Sequence, residues 1–173
     1  SKQQFCTNHL GNFALTGKLL HLLIQTPGPR VVSVSSLGSK IGSIDFDDLN
    51  YKNKPYRAWF AYGQSKLAIQ LFTLELARRL ESFHLDTKAV VAHPGGSSTN
   101  LQRTSGFFSN AIVKKVINPL ITHQPADAAL PLLRAACDPA VANGSYWGPS
   151  GITGLTGSPV MIKTDQRAND LNV

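Results

Sequence analysis

The sequence is poor in sulfur and in acid. Its 173 residues hold two cysteines, one methionine and ten Asp or Glu, against seventeen Lys or Arg. Cys6 and Cys137 show neither metal-ligand spacing nor a pairing pattern, so they are expected as small buried hydrophobes in a reducing compartment. No run approaches the ~20 apolar residues of a membrane span. No charged-then-apolar leader opens the chain, and a cytoplasmic location is the default expectation. The five histidines never fall as H-x-x-x-H, so no metal site is expected. A G-x-S-x-G nucleophile elbow is missing too, which excludes the corresponding serine hydrolases. The net charge of +7 invites a nucleic-acid reading. Its distribution argues against one: the longest basic runs are the pairs Arg78-Arg79 and Lys114-Lys115, with no stripe of interleaved aromatics.

What is present is an ordinary globular composition, 42% apolar and 16% charged, enough for one domain with a core. Residues 6–25 carry Leu10, Phe13, Ala14, Gly17, Leu20 and Ile24 at helical spacing, and Pro27-Gly28-Pro29 ends the pattern. Val31, Val32 and Val34 form a β-branched strand closing on Ser35-Ser36. A polar loop is expected over 37–55, then a helix over 57–82 and a second buried strand over 88–92, stopped by Pro94-Gly95-Gly96. Residues 97–124 read as a loop with one short amphipathic piece. Pro125 opens an Ala- and Leu-rich helix to about Ala136, and short strands are expected at 145–147 and 159–162. Strands alternating with helices imply βαβ units and a parallel sheet.

The chemistry concentrates at Tyr62-Gly63-Gln64-Ser65-Lys66. On a helix, positions i and i+4 share a face, so the phenol and the ammonium point the same way. A phenol beside an ammonium ionises more easily. It can pass a proton to or from a substrate oxygen while hydride moves at the carbon. The lysine can also donate to ribose hydroxyls. Four tyrosines and ten lysines in 173 positions would produce about 0.2 such pairs by chance, so the motif alone decides little.

Four ordered segments give it weight. Thr7-Asn8-His9-Leu10-Gly11-Asn12-Phe13, Val31–Gly38, Ala61–Leu67 and His93-Pro94-Gly95 with Thr99 together resemble the short-chain dehydrogenase/reductase family. The likeness is greatest to its retinol-dehydrogenase-like branch, and GSYWGP at 144–149 extends it weakly. The 26 residues from Ser36 to Tyr62 match an insertion of that branch, and Asp45-Phe46-Asp47-Asp48-Leu49 resembles its content.

The resemblance implies a Rossmann-like, doubly wound α/β sheet and an NAD(P)-dependent oxidoreductase that acts on an apolar alcohol or carbonyl compound. It implies catalytic roles for Asn8, Ser36, Tyr62 and Lys66, and cofactor contacts at Tyr62, Lys66, Pro94, Gly95 and Thr99, with NADP or NAD left open. Trp59 and Phe60 are candidates either for the pocket or for the core. Phe107 and Phe108, on a loop from Thr99 to Asn118, are expected to grip substrate, with that loop as a lid.

One departure is serious. The family's Gly-rich turn between first strand and helix, which seats a pyrophosphate, has no counterpart here. Both ends of the sequence look cut, so residues 1–173 are expected to form a partial single domain, the C-terminal catalytic half of a dinucleotide-binding fold. A non-catalytic binding or regulatory fragment is the alternative function. No nucleic acid or membrane span is expected, and self-association is left open.

Overall fold

In the computed structural model, residues 3–96 and 124–164 are described. A single π-helical turn, Cys6–Leu10, runs into helix α1, Gly11–Leu23. Strand β1 is Arg30–Val34, and a 3-10 turn, Leu37–Ile41, follows it. Helix α2 spans Ala58–Ser82 and leads to strand β2, Lys88–Ala92. Helix α3, Pro125–Cys137, then precedes the short strands β3, Tyr146–Pro149, and β4, Pro159–Ile162.

The four strands form one sheet in the order β1-β2-β3-β4. β1 pairs parallel with β2 from Arg30–Lys88 to Val34–Ala92, and β2 pairs parallel with β3. Side chains alternate between the faces of a strand, and here each face meets its own helix. Val31 and Ala89 pack with Leu76, Ala77 and Leu80 of α2 and Leu20 of α1. Val32, Val90, Ala92 and Trp147 pack with Leu132 and Ala135 of α3. Burial on both faces explains why β2 reads as an unbroken apolar run, Ala89 to Ala92, and helices on both sides make the sheet doubly wound.

Several expectations need correction. β4 runs antiparallel to β3. The link between them is short and closes on itself, through Ser150 N–H to Ser158 O and Gly151 N–H to Thr156 O, whereas a parallel return needs a dozen or more residues. Cys6 and Cys137 are both exposed. Cys6 lies on a turn with no buried residue, and Cys137 is the last residue of α3. α1 buries none of its residues either; Phe13 is held at its side by an edge-on contact with Phe72, ring centres 5.1 Å apart. Trp59 and Phe60 are exposed and not core. Among the described residues, no helix is long and apolar enough to cross a membrane.

Candidate active site

The first turns of α2 carry the central pair. Tyr62 and Lys66 lie one turn apart, and Lys66 Nζ stands 5.7 Å from the Tyr62 ring centre. The ammonium donates to the Val34 carbonyl at 2.9 Å, across to the end of β1. A lysine ammonium has three N–H donors, so among the described residues two remain for a ligand. Burial pushes the Lys66 pKa below its ordinary value, since desolvation penalises the charged form.

Asn8 reaches this pair from the π-helical turn. Its Nδ2 donates to Ser65 Oγ at 3.0 Å, and Ser65 Oγ donates to the Tyr62 carbonyl at 2.8 Å. The turn is pinned to α2 by aromatic contacts: the His9 ring lies 6.0 Å from Phe72 and 5.1 Å from Phe5. Asn8 and Lys66 also line one cavity of about 310 Å³.

The two serines that close β1 separate cleanly. Ser35 is buried and donates to the Lys66 carbonyl at 3.0 Å. Ser36 is half-buried and caps the 3-10 turn by accepting from Gly38 N–H at 3.2 Å. A methyl group on Gly38 would meet Tyr62 Cε1 at 3.0 Å and Ser36 Oγ at 3.6 Å. The tyrosine ring and the serine hydroxyl therefore flank the same glycine.

That approach depends on a further close contact of backbones. A Cβ on Gly63 would fall 2.7 Å from the Gly38 carbonyl oxygen, and one on Gly42 would fall 2.3 Å from the Gly63 carbonyl oxygen. Neither position has room for a side chain, and the 3-10 turn can lie against α2 only because both are glycine. Trp59, a turn before Tyr62, meets its ring edge-on at 6.3 Å and stays solvent-exposed.

Pro94 and Gly95 follow β2 at the same end of the sheet. Gly95 has φ +75°, and a Cβ there would strike the Leu155 carbonyl oxygen at 2.4 Å. Gly95 N–H donates to His93 Nδ1 at 3.1 Å and Gly96 N–H to the Leu155 carbonyl at 2.8 Å. His93 is buried, and that burial, with the charge of Lys40, pushes its pKa down to about 4. It is neutral near pH 7.

The structure thus brings Asn8, Ser36, Tyr62 and Lys66 to one end of the sheet, the end at which Pro94 and Gly95 follow β2. Thr99, Phe107, Phe108 and the loop to Asn118 lie outside the described residues. Sequence reasoning passed over Ser65, the link between Asn8 and the tyrosine, and the glycines that admit the 3-10 turn. Two of these stand inside the Tyr-x-x-x-Lys motif itself, as Gly63 and Ser65. The basic pair Arg78-Arg79 is taken up by Glu75, at 2.7 and 2.6 Å.

No protein-family model matches the chain. Human "Retinol dehydrogenase 13" is 40% identical over 151 residues, 84% of this chain and 45% of its own length. Among solved structures, an uncharacterised protein from Mycobacterium Paratuberculosis shares 35% identity with a TM-score of 0.69, over 96% of this chain and 52% of that one. A short chain dehydrogenase from Salmonella enterica shares the fold, at 24% identity and a TM-score of 0.57 over 80% of this chain and 48% of that one. The chain spans about half the length of the relatives it matches.

Proposed function

Since the chain is a relative of the retinol-dehydrogenase-like short-chain dehydrogenases/reductases, we propose that it carries the proton-handling side of an oxidoreductase site for an apolar alcohol or carbonyl substrate. The observation that carries this reading is the approach of Tyr62 and Ser36 to Gly38, with Lys66 Nζ 5.7 Å from the tyrosine ring, at the C-terminal end of a parallel sheet, the end at which α/β sheets place ligands.

Such a site works with a nicotinamide cofactor, NADP or NAD. The described residues fit one end of it. Lys66 keeps two donors for ribose hydroxyls, and Pro94 and Gly95 follow β2 at the same end of the sheet. No glycine-rich strand-to-helix turn for the pyrophosphate occurs among the described residues. When bound, the cofactor takes up or supplies hydride at the substrate carbon.

The chain's own residues handle the oxygen. Tyr62 Oη takes the proton from an alcohol, or gives one to a carbonyl, within hydrogen-bond reach. Ser36 Oγ–H donates to the same substrate oxygen and holds it against the phenol. Lys66 holds the ribose and keeps a positive charge near the phenol. Asn8 and Lys66 border a polar space large enough for ordered water, a route by which the proton reaches solvent. Trp59, exposed beside Tyr62, offers an apolar face to the substrate.

The test is steady-state oxidation of 1-dodecanol by the full chain with NADP+ or NAD+, wild type against Tyr62→Phe. A kcat lower by about 10²–10⁴-fold, the typical worth of a positioned acid/base, with an unchanged circular dichroism spectrum, is the expected result. Equal kcat in the two proteins would overturn the reading.

A further inference from the structure

Gly38 is the second residue of the 3-10 turn that follows β1, Leu37–Ile41. Its backbone does not ask for glycine. The positive φ angles fall at Gly28, Gly95, Gly144, Gly154 and Gly157, and Gly38 is not among them. Glycine loses more backbone freedom on folding than any other residue, so in a helical turn alanine is the better choice. The reason for glycine here is therefore in what surrounds it, and each part of the residue meets a neighbour.

The Gly38 N–H donates to Ser36 Oγ at 3.2 Å. A serine hydroxyl has one hydrogen to give and two lone pairs with which to accept. With the Gly38 N–H on one lone pair, the Ser36 hydrogen needs an acceptor elsewhere, and among the described residues it has none. It remains for a bound oxygen. The Gly38 Cα meets the Tyr62 ring. An added methyl would stand 3.0 Å from Cε1, 3.2 Å from Cδ1 and 3.6 Å from Ser36 Oγ. Carbon atoms pack best at about 3.5–4.0 Å, so the ring would be crowded and the hydroxyl would not.

The Gly38 carbonyl decides which partner would yield. It rests on Gly63, the residue after Tyr62: a Cβ there would lie 2.7 Å from the carbonyl oxygen, and 3.0 Å and 3.1 Å from the N and Cα of Gly42. The turn is seated backbone to backbone on α2 and cannot retreat from a larger residue 38. The ring has more freedom. Tyr62 is half-buried, and Trp59, its edge-on neighbour at 6.3 Å, is exposed. A methyl on Gly38 would therefore push the phenol aside by a few tenths of an ångström and leave the turn in place.

We propose that Gly38 is a positioning residue for the reaction: its bare Cα admits the Tyr62 ring to the side of the Ser36 hydroxyl, and its N–H holds that hydroxyl as a donor to the substrate oxygen. Tyr62 and Ser36 must meet one oxygen, the first as acid or base and the second as donor, so a single backbone unit sets their separation. Gly38 acts through these two side chains and needs no contact with substrate. This rests on the catalytic reading above for the reaction that the pair performs.

The test is Gly38→Ala in the full chain. Its circular dichroism spectrum and urea midpoint should stay near those of the wild type, because the backbone admits alanine. In a proton–nitrogen correlation spectrum the indole N–H of Trp59, edge-on to the Tyr62 ring, should move. That of Trp147, bonded to Ser145 Oγ and packed on the α3 face of the sheet, should hold still. The kcat for 1-dodecanol should fall about tenfold with KM little changed, less than the roughly 10²-fold that a misplacement of ~1 Å costs. In a Tyr62→Phe background the same change should cost less than about twofold, as coupled sites do not add. An unmoved Trp59 resonance, or an equal loss in both backgrounds, would overturn the assignment. So would an undiminished kcat beside a collapsed Tyr62→Phe, and that result would leave the catalytic reading standing. A moved Trp59 resonance with Tyr62→Phe as active as the wild type would uphold the contact and reject the catalytic reading. If Gly38→Ala does not fold, adding Tyr62→Ala should restore folding, and failure to restore it would overturn the assignment.

Discussion

Asn8 Nδ2 donates to Ser65 Oγ at 3.0 Å, across 57 positions of sequence. This bond joins the first helical turn of the chain to the turn of α2 that holds Tyr62 and Lys66. Ser65 passes the constraint on through its bond to the Tyr62 carbonyl. Asn8 thus acts through Ser65 as a positioning residue, besides bordering the space next to Lys66. Ser65→Ala leaves the Asn8 amide without this partner, and stability should fall by about 1–3 kcal/mol. Urea unfolding measures that loss. The kcat of Ser65→Ala should fall less than that of Tyr62→Phe, and Ser65→Thr, which keeps the hydroxyl, should restore most of it. A merely structural role for Ser65 predicts lower stability with kcat intact.

The neighbouring serines at the end of β1 should dissociate under mutation. Ser35→Ala removes a buried donor to the Lys66 carbonyl, and about 1 kcal/mol of stability should go with it. Ser36→Ala removes the cap of the 3-10 turn, at a cost of about 0.5–2 kcal/mol, and should in addition lower kcat by roughly 10²–10³-fold, as for one lost positioned donor. Paired denaturation and kinetic measurements decide the matter. Finding the kinetic loss at Ser35 and not at Ser36 would reverse the assignment.

Lys66→Ala should weaken binding of NADP+ or NAD+, because it deletes the donors that reach the ribose. It should also release the Val34 carbonyl that the ammonium now caps. The expected sign in titration calorimetry is a Kd raised about tenfold or more, as for a lost hydrogen bond from a charged group. An unchanged Kd removes the ribose role and leaves the lysine as a strand-end anchor.

His93 should make stability fall in mild acid. Its folded-state pKa lies near 4, below the ordinary 6.5. Above pH 6.5 neither folded nor unfolded chain is protonated there, and its contribution is fully present. As pH falls from 6.5 toward 4, the unfolded chain gains a proton that the folded one refuses. Stability then drops by ~1.4 kcal/mol per pH unit, to roughly 3 kcal/mol at pH 4. His93→Asn retains an acceptor for Gly95 N–H and has nothing to titrate. The difference in urea midpoint between pH 7.5 and pH 5.0 should therefore be smaller in the variant. Equal differences would show that another group governs the acid side.

The sequence by itself determined the order of the elements and much of the site. Val31, Val32 and Val34, the run from Ala89 to Ala92 and Pro159–Ile162 carry strand signals that need no partner to be read. Tyr62 and Lys66 share a helix face by the geometry of the helix alone. The direction of β4 was not legible, because pairing direction depends on how a link folds back and not on strand composition. Burial misled at Cys6, Cys137 and α1, where apolar spacing marks a face without stating what covers it. The resemblance already singled out Ser36 over Ser35, and the tertiary structure supplied the physical reason: Gly38 packs on the Tyr62 ring with the Ser36 hydroxyl against the same glycine, while Ser35, one step of strand alternation away, is buried against the Lys66 carbonyl.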